Sequence, residues 1–178
     1  MDAPVTGGDT GAKAGTLSIL VGGEKEDYEA CMLLFEAMGT NINYQGKAGC
    51  GQHCKLANQI MIAGTLSGVC EALTYAKEQG LDPEVFMKSV ATGAAGSKQL
   101  DTFGPKILKD DYAPGFFMKH FIKDMKLALI EANRKGLSLD VLSMVLANYE
   151  ELEQEGYGDL GTQALMKFYD EEHRNMDE

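Results

Sequence analysis

"GCGQHCKLANQIMIAGTLSGVCEALTYAKEQG" (49–80) decides the fold. It contains no proline, its apolar residues recur at helical spacing, and it stops at Gly80, the residue type suited to a helix end. It therefore predicts one long helix over 48–79. Thirty-odd residues at ~1.5 Å each make a rod of roughly 45–50 Å. The chain changes character where this rod begins. Up to residue 46 the pattern is short and mixed, and beyond it every segment reads as helix or loop.

On the N-terminal side, "APVTGG" (3–8) reads as a strand end running into a glycine turn. "TLSILVGG" (16–23) reads as a mostly buried strand. "EKEDYEACMLLFEAMG" (24–39) reads as one helix, with acidic residues in its first turn and Gly39 at its C-terminal cap. Tyr28, Cys31, Phe35 and Met38 form its apolar face. "NINYQG" (41–46) is a short strand. These elements make a β-α-β stub with at least one raw edge and an uncovered face.

On the C-terminal side, Asp82 followed by Pro83 is a strong helix start. "GSKQLDTFGPKIL" (96–108) is a helix expected to break before Pro105. "KDDYAPGF" (109–116) is a loop. Helices follow over 118–136, 138–156 and 161–174, and "NMDE" (175–178) is a solvated tail. The fold class is mainly α: residues 1–46 form the sheet remnant and 47–178 a helical domain entered through the long helix.

Of the 178 residues, 44% are hydrophobic and 24% charged, so a sizeable core is possible. The net charge of −11 argues against nucleic acid as the partner. One or two local lysines can still hold a small carboxylate. Cys31, Cys50, Cys54 and Cys70 show no repeated spacing and no signal peptide opens the chain, so they read as reduced thiols of a cytoplasmic protein. "LANQIMIAGTLSGVC" (56–70) reads as too short and too polar to span a bilayer. Its Gly64 and Gly68 read as a site of close helix packing.

Within 49–59 two kinds of chemistry compete. Cys50, His53 and Cys54 lie at i, i+3 and i+4, so a helix puts these soft ligands on one side. A structural zinc needs a fourth ligand, and Cys31, Cys70, His120 and His173 are isolated in sequence; the expected metal site is none. The other reading is a helix start. Gly49 and Gly51 permit a tight turn and close approach, and the first-turn N–H groups attract an anion. Lys55 follows just inside, where the dipole and desolvation lower an amine's pKa toward acid/base use. Asn58 and Gln59 lie one turn on, able to hydrogen-bond whatever Lys55 touches.

"DAPVTGG" (2–8), "GTLSILVGG" (15–23), "GCGQHCKLANQ" (49–59) and "APGFFMKHFIKDMKLAL" (113–129) together resemble the β-hydroxyacid dehydrogenases, in family order and spacing. That family includes 3-hydroxyisobutyrate dehydrogenases and tartronate semialdehyde (2-hydroxy-3-oxopropionate) reductases. "GYGDLGTQALMKFY" (156–169) resembles the closing helix of the reductases. The resemblance implies an NAD(P)-dependent oxidoreductase interconverting a small hydroxyacid and its semialdehyde. It implies a Rossmann domain whose last part is residues 1–46, then a helical, dimerising domain like that of 6-phosphogluconate dehydrogenase. By the same resemblance Lys55 is the catalytic acid/base, and Thr6, Gly7 and Gly8 hold the substrate carboxylate. Phe116 lines the pocket, and Lys123 and Asp124 lie beside substrate and cofactor. Where many members place Asn, four residues after the lysine, this chain has Gln59, with Asn58 one position earlier; either amide is a substrate-contact candidate.

The glycine fingerprint G-x-G-x-x-G after a first strand is not found. "GGDTGAKAG" (7–15) and "GAAGS" (93–97) do not fit that context. The expectation is a C-terminal fragment that binds no NAD or NADP and is inactive alone, the cofactor belonging to the full-length enzyme. Two other readings stay open. One is a non-catalytic helical dimerisation module, the other a metal protein using Cys50, His53 and Cys54.

Overall fold

A computed structural model describes residues 1–170. The end of the helix expected over 161–174, the tail 175–178 and His173 lie outside the described residues. The chain is mainly helical, with a three-stranded sheet at its N-terminal end. It divides into two compact units, Met1–Gln59 and the residues from Ile60 onward.

In the first unit β1 (Val5–Thr6) leads into α1 (Gly8–Ala14), and β2 (Leu17–Gly22) follows. Two short helices, α2 (Lys25–Ala30) and α3 (Met32–Glu36), carry the chain to β3 (Gly39–Gly46). β2 is central, antiparallel to β1 with Val5 opposite Ile19, and parallel to β3. Ile19 and Val21 are fully buried and, with Leu17 and Phe35, form the core against which Tyr28, Cys31 and Ile42 pack.

Several expectations are corrected here. The glycine turn after β1 continues into α1, a seven-residue helix. The single helix over 24–39 is two, interrupted at Cys31, whose carbonyl accepts from both Leu34 and Phe35 N–H. Met38 is exposed rather than part of the apolar face, and so are Leu33 and Leu34 (81% and 66%). Gly39 is not a helix cap. It is the first residue of β3, and a Cβ there would collide with the Leu17 carbonyl across the parallel pair.

α4 (Cys50–Glu78) is the long helix, as expected, and crosses from the first unit into the second. This helix is long and apolar enough to cross a membrane by length and composition. The core helix of a soluble protein passes the same test. From Ile60 on it buries Ala63, Leu66, Cys70, Leu73 and Ala76. Gly64 and Gly68 do not mark a close helix crossing among the described residues. A Cβ at Gly68 would meet nothing within 4 Å, and one at Gly64 only Val141 at 3.7 Å.

The second unit continues with α5 (Pro83–Ala91), α6 (Lys98–Ile107), α7 (Met118–Arg134) and α8 (Asp140–Gln154). Asp82 caps α5 as expected, accepting from Glu84 and Val85 N–H at 2.9 and 3.1 Å, with Pro83 at the first helical position. α6 does not break before Pro105 but runs through it. The residue before a proline is pushed out of the helical region by its own Cβ, and Gly104 has none. Gly104 also sits against the Met87 sulfur, which would have to shift to admit a Cβ there. α7 and α8 pack against each other through Phe121 and Tyr149, edge to face at 5.4 Å, both fully buried. The last segment is 3-10 rather than α-helix: a turn at Tyr157–Asp159, then Thr162–Tyr169. The Tyr149 hydroxyl donates to the Thr162 carbonyl at 2.7 Å and pins that start.

Candidate active site

The start of α4 is fixed by a residue fifty positions away. The Asp2 carboxylate accepts from Gly49 N–H at 2.6 Å and from Gln52 N–H at 2.8 Å. Asp2 itself is held on the sheet by a reciprocal backbone pair with Gly22, 2.8 Å each way. Two glycines let helix and sheet meet. A Cβ at Gly22 would lie 2.7 Å from Gly51 N, and one at Gly51 would strike the Leu20 carbonyl. Partial burial pushes the Asp2 carboxyl up. The hydrogen bonds from Gly49 and Gln52 outweigh this and hold it below its ordinary range.

This corrects the expectation that the first turn of α4 awaits an anion: the protein's own carboxylate occupies it. Sequence reasoning quoted Asp2 only as the start of a loop motif. No local signal marks it as a cap, because an N-cap read from sequence adjoins its helix.

Lys55 is half-buried, one turn beyond the N–H groups that Asp2 holds. Asn58 is half-buried and Gln59 almost fully buried, at 2% exposure. The Asn58 amide donates to Gln59 Oε1 at 2.8 Å, so the two candidate amides form one pair. Helical spacing sets Asn58 and Gln59 one turn above Lys55 on its side of α4. His53 is exposed, and Cys50 and Cys54 are half-buried free thiols. Among the described residues no group of three His, Cys, Asp or Glu is arranged to hold a metal.

Thr6, Gly7 and Gly8 join β1 to α1 in the same unit. Thr6 pairs with Ser18. Gly7 and Gly8 are exposed and have φ of +132° and +64°, conformations open to glycine. In the second unit Phe116 is 38% exposed, its ring 6.1 Å from Phe121. Lys123 and Asp124 on α7 form an ion pair at 3.2 Å, the lysine outward and the carboxylate largely covered.

Residues 49–169, more than half of the chain, match the family described as "NAD-binding of NADP-dependent 3-hydroxyisobutyrate dehydrogenase". Residues 1–46 match "NAD binding domain of 6-phosphogluconate dehydrogenase". The chain belongs to the β-hydroxyacid dehydrogenase family. An uncharacterized oxidoreductase of Bacillus subtilis is 52% identical over 95% of this chain and 59% of its own length. The 2-hydroxy-3-oxopropionate reductase of Escherichia coli is 42% identical over 78% of this chain and 48% of its own. The solved Mycobacterium tuberculosis 3-hydroxyisobutyrate dehydrogenase with L-serine superposes with a TM-score of 0.88 at 26% identity, covering 95% of this chain and 60% of that one. The chain thus spans about half to three fifths the length of these β-hydroxyacid dehydrogenase relatives.

The family uses NAD(P), which needs a pyrophosphate cradle between a strand and a helix of one parallel unit. Gly7 to Gly11 follow a strand and open a helix, but β1 and β2 are antiparallel and α1 has only seven residues, so they open no parallel βαβ unit. The described residues therefore do not supply that cradle.

Proposed function

We propose that this chain provides the substrate-binding and proton-transferring part of an NAD(P)-dependent oxidoreductase that interconverts a small β-hydroxyacid and its semialdehyde. In that reading residues 1–46 belong to the dinucleotide-binding domain and 47–178 form the substrate and assembly domain. The cofactor is bound by the longer protein and not by this chain alone. The substrate is of the tartronate semialdehyde or 3-hydroxyisobutyrate type, in keeping with the names of the relatives. One observation carries the reading: Lys55 sits half-buried on a helix whose first turn is locked to the sheet by Asp2, Gly22 and Gly51.

Each residue has a task that its chemistry suits. Thr6 Oγ1 and the N–H groups of Gly7 and Gly8 take the substrate carboxylate, on a turn whose two glycines are exposed. Lys55 Nζ gives a proton to the carbonyl oxygen during reduction and takes it back from the hydroxyl during oxidation. The Asn58–Gln59 pair orients the oxygen that Lys55 serves. Phe116 offers an apolar wall, and Lys123, paired with Asp124, a positive charge toward substrate and cofactor. Because Asp2 already satisfies the helix end, the carboxylate is assigned to the Thr6 loop and not to α4.

The test is Lys55→Ala in the full-length protein. Turnover with 3-hydroxyisobutyrate or tartronate semialdehyde should fall by about 10²–10⁴, with an unchanged circular dichroism spectrum. Unchanged turnover would remove the reading. The helical unit is also proposed to self-associate, since α4 leaves the large apolar side chains of Met61 and Tyr75 largely exposed (74% and 67%).

A further inference from the structure

One fully buried side chain reaches two carbonyls of the loop before α7. Gln163 is fully buried (0% exposure), and its Nε2 donates to the Asp111 carbonyl at 2.9 Å and to the Ala113 carbonyl at 3.1 Å. Both N–H groups of one amide are thus spent on two carbonyls of the same loop. Its Oε1 is buried without a hydrogen-bond partner among the described residues. It lies against Gly161, where a Cβ would come within 2.8 Å of the amide carbon. The residues around Gln163 complete the hold. Gly161 N–H donates to the Tyr112 carbonyl at 2.9 Å and Thr162 N–H to the Phe116 carbonyl at 3.2 Å. Met118 N–H, the first of α7, returns to the Leu160 carbonyl at 2.9 Å.

Backbone bonds alone would set a strand-like crossing here. Gln163 adds a constraint that a backbone cannot, because it ties the Asp111 and Ala113 carbonyls to a single point, across a turn that the Asp111 carboxylate also closes by accepting from Ala113 N–H at 3.1 Å. Three residues beyond that turn is Phe116, and seven beyond Phe116 is Lys123. Leaving a buried carbonyl oxygen unbonded is costly, so an amide spent twice on one loop, with a glycine kept beside it, needs a reason.

We propose that Gln163 is a positioning residue of the active site: it fixes the Asp111–Phe117 loop so that Phe116 is presented in one orientation to the substrate. The proposal rests on the reading that Phe116 lines the substrate pocket. It concerns orientation of the loop, not proton transfer.

The chain has no tryptophan, so Phe116→Trp gives a single reporter on the loop. In the 178-residue chain carrying that reporter, Gln163→Met keeps the volume and removes both donors, and Gln163→Asn keeps an amide too short to reach both carbonyls. Steady-state anisotropy of the Trp emission should fall at least about 1.5-fold in both, with far-ultraviolet circular dichroism unchanged; an indole on a loop held in one place reorients less on the nanosecond scale than one on a freed loop. Anisotropy equal to that of the reporter alone overturns the proposal. So does failure of both variants to fold, which would make Gln163 a folding residue only. In the full-length protein without the reporter, Gln163→Met should raise KM for 3-hydroxyisobutyrate about tenfold while kcat changes less than about threefold. If Lys55→Ala leaves turnover intact, the functional reading has failed. If Lys55→Ala abolishes turnover and Gln163→Met leaves KM unchanged, the positioning role has failed.

Discussion

Asp2→Asn perturbs the most connected point of the site and changes almost no volume. The aspartate accepts two N–H bonds, at 2.6 and 2.8 Å, from the first turn of α4. Asparagine keeps one acceptor oxygen and sets an NH₂ group against the other N–H. One hydrogen bond to a charged acceptor is lost, about 1.5–3 kcal/mol, together with about 0.3–1 kcal/mol of charge–dipole attraction. Solvent access to this partly exposed group reduces the total, which leaves about 2 kcal/mol. Because the chain has two units, a global melting curve alone would blur the effect. Amide exchange at Gly49 and Gln52 reads it locally, and 2 kcal/mol corresponds to roughly a 30-fold loss of protection. The sign with pH is fixed by the lowered carboxyl pKa. The native state binds its proton later than the unfolded chain, so the stabilisation is complete well above the ordinary value of about 3.9. It fades as the pH falls through that value toward the folded one. Asp2→Asn should therefore flatten the acid limb of stability. Protection within about twofold of the native chain, with the same acid limb, would refute the capping account.

Other outcomes follow from the same geometry. Gly51→Ala drives a Cβ into the Leu20 carbonyl and to 2.7 Å from Asp2 Oδ2, so urea unfolding should show a loss of about 2 kcal/mol or more. Asp82→Ala removes two hydrogen bonds at the start of α5 and should cost about 1 kcal/mol by the same assay, while Asp82→Ser should recover most of it. Sedimentation of the chain at micromolar concentration should give the mass of a dimer; a monomer would count against association through the helical unit.

Much of this fold is legible in the sequence where the signals are local. Asp82–Pro83 announces α5, Gly80 ends α4 with φ +74°, and Gly136 follows α7 with φ +68°. Where two local rules compete, the sequence misleads. Pro105 looked like a break, but Gly104 removes the clash that would have made it one. α1 escaped notice because four of the residues in 7–15 are glycine and only Gly11 is buried, so no hydrophobic period exists. The 3-10 path of Thr162–Tyr169 is dictated by Tyr149 and by the loop at Asp111–Phe116, contacts that lie ten to fifty positions away. The same holds in the site. Lys55, Asn58 and Gln59 are neighbours on a helix and could be picked out by spacing, whereas Asp2 and Gln163 act on residues some fifty positions distant and carry no local mark.

The central claim is that Lys55 moves the proton. The most direct measurement is turnover of full-length Lys55→Ala with added ethylamine, using tartronate semialdehyde or 3-hydroxyisobutyrate as substrate. The account predicts activity reduced by about 10²–10⁴ without the amine and partial, saturable recovery with it, following the basicity of the amine used. Native-level turnover in the variant without any amine would contradict it.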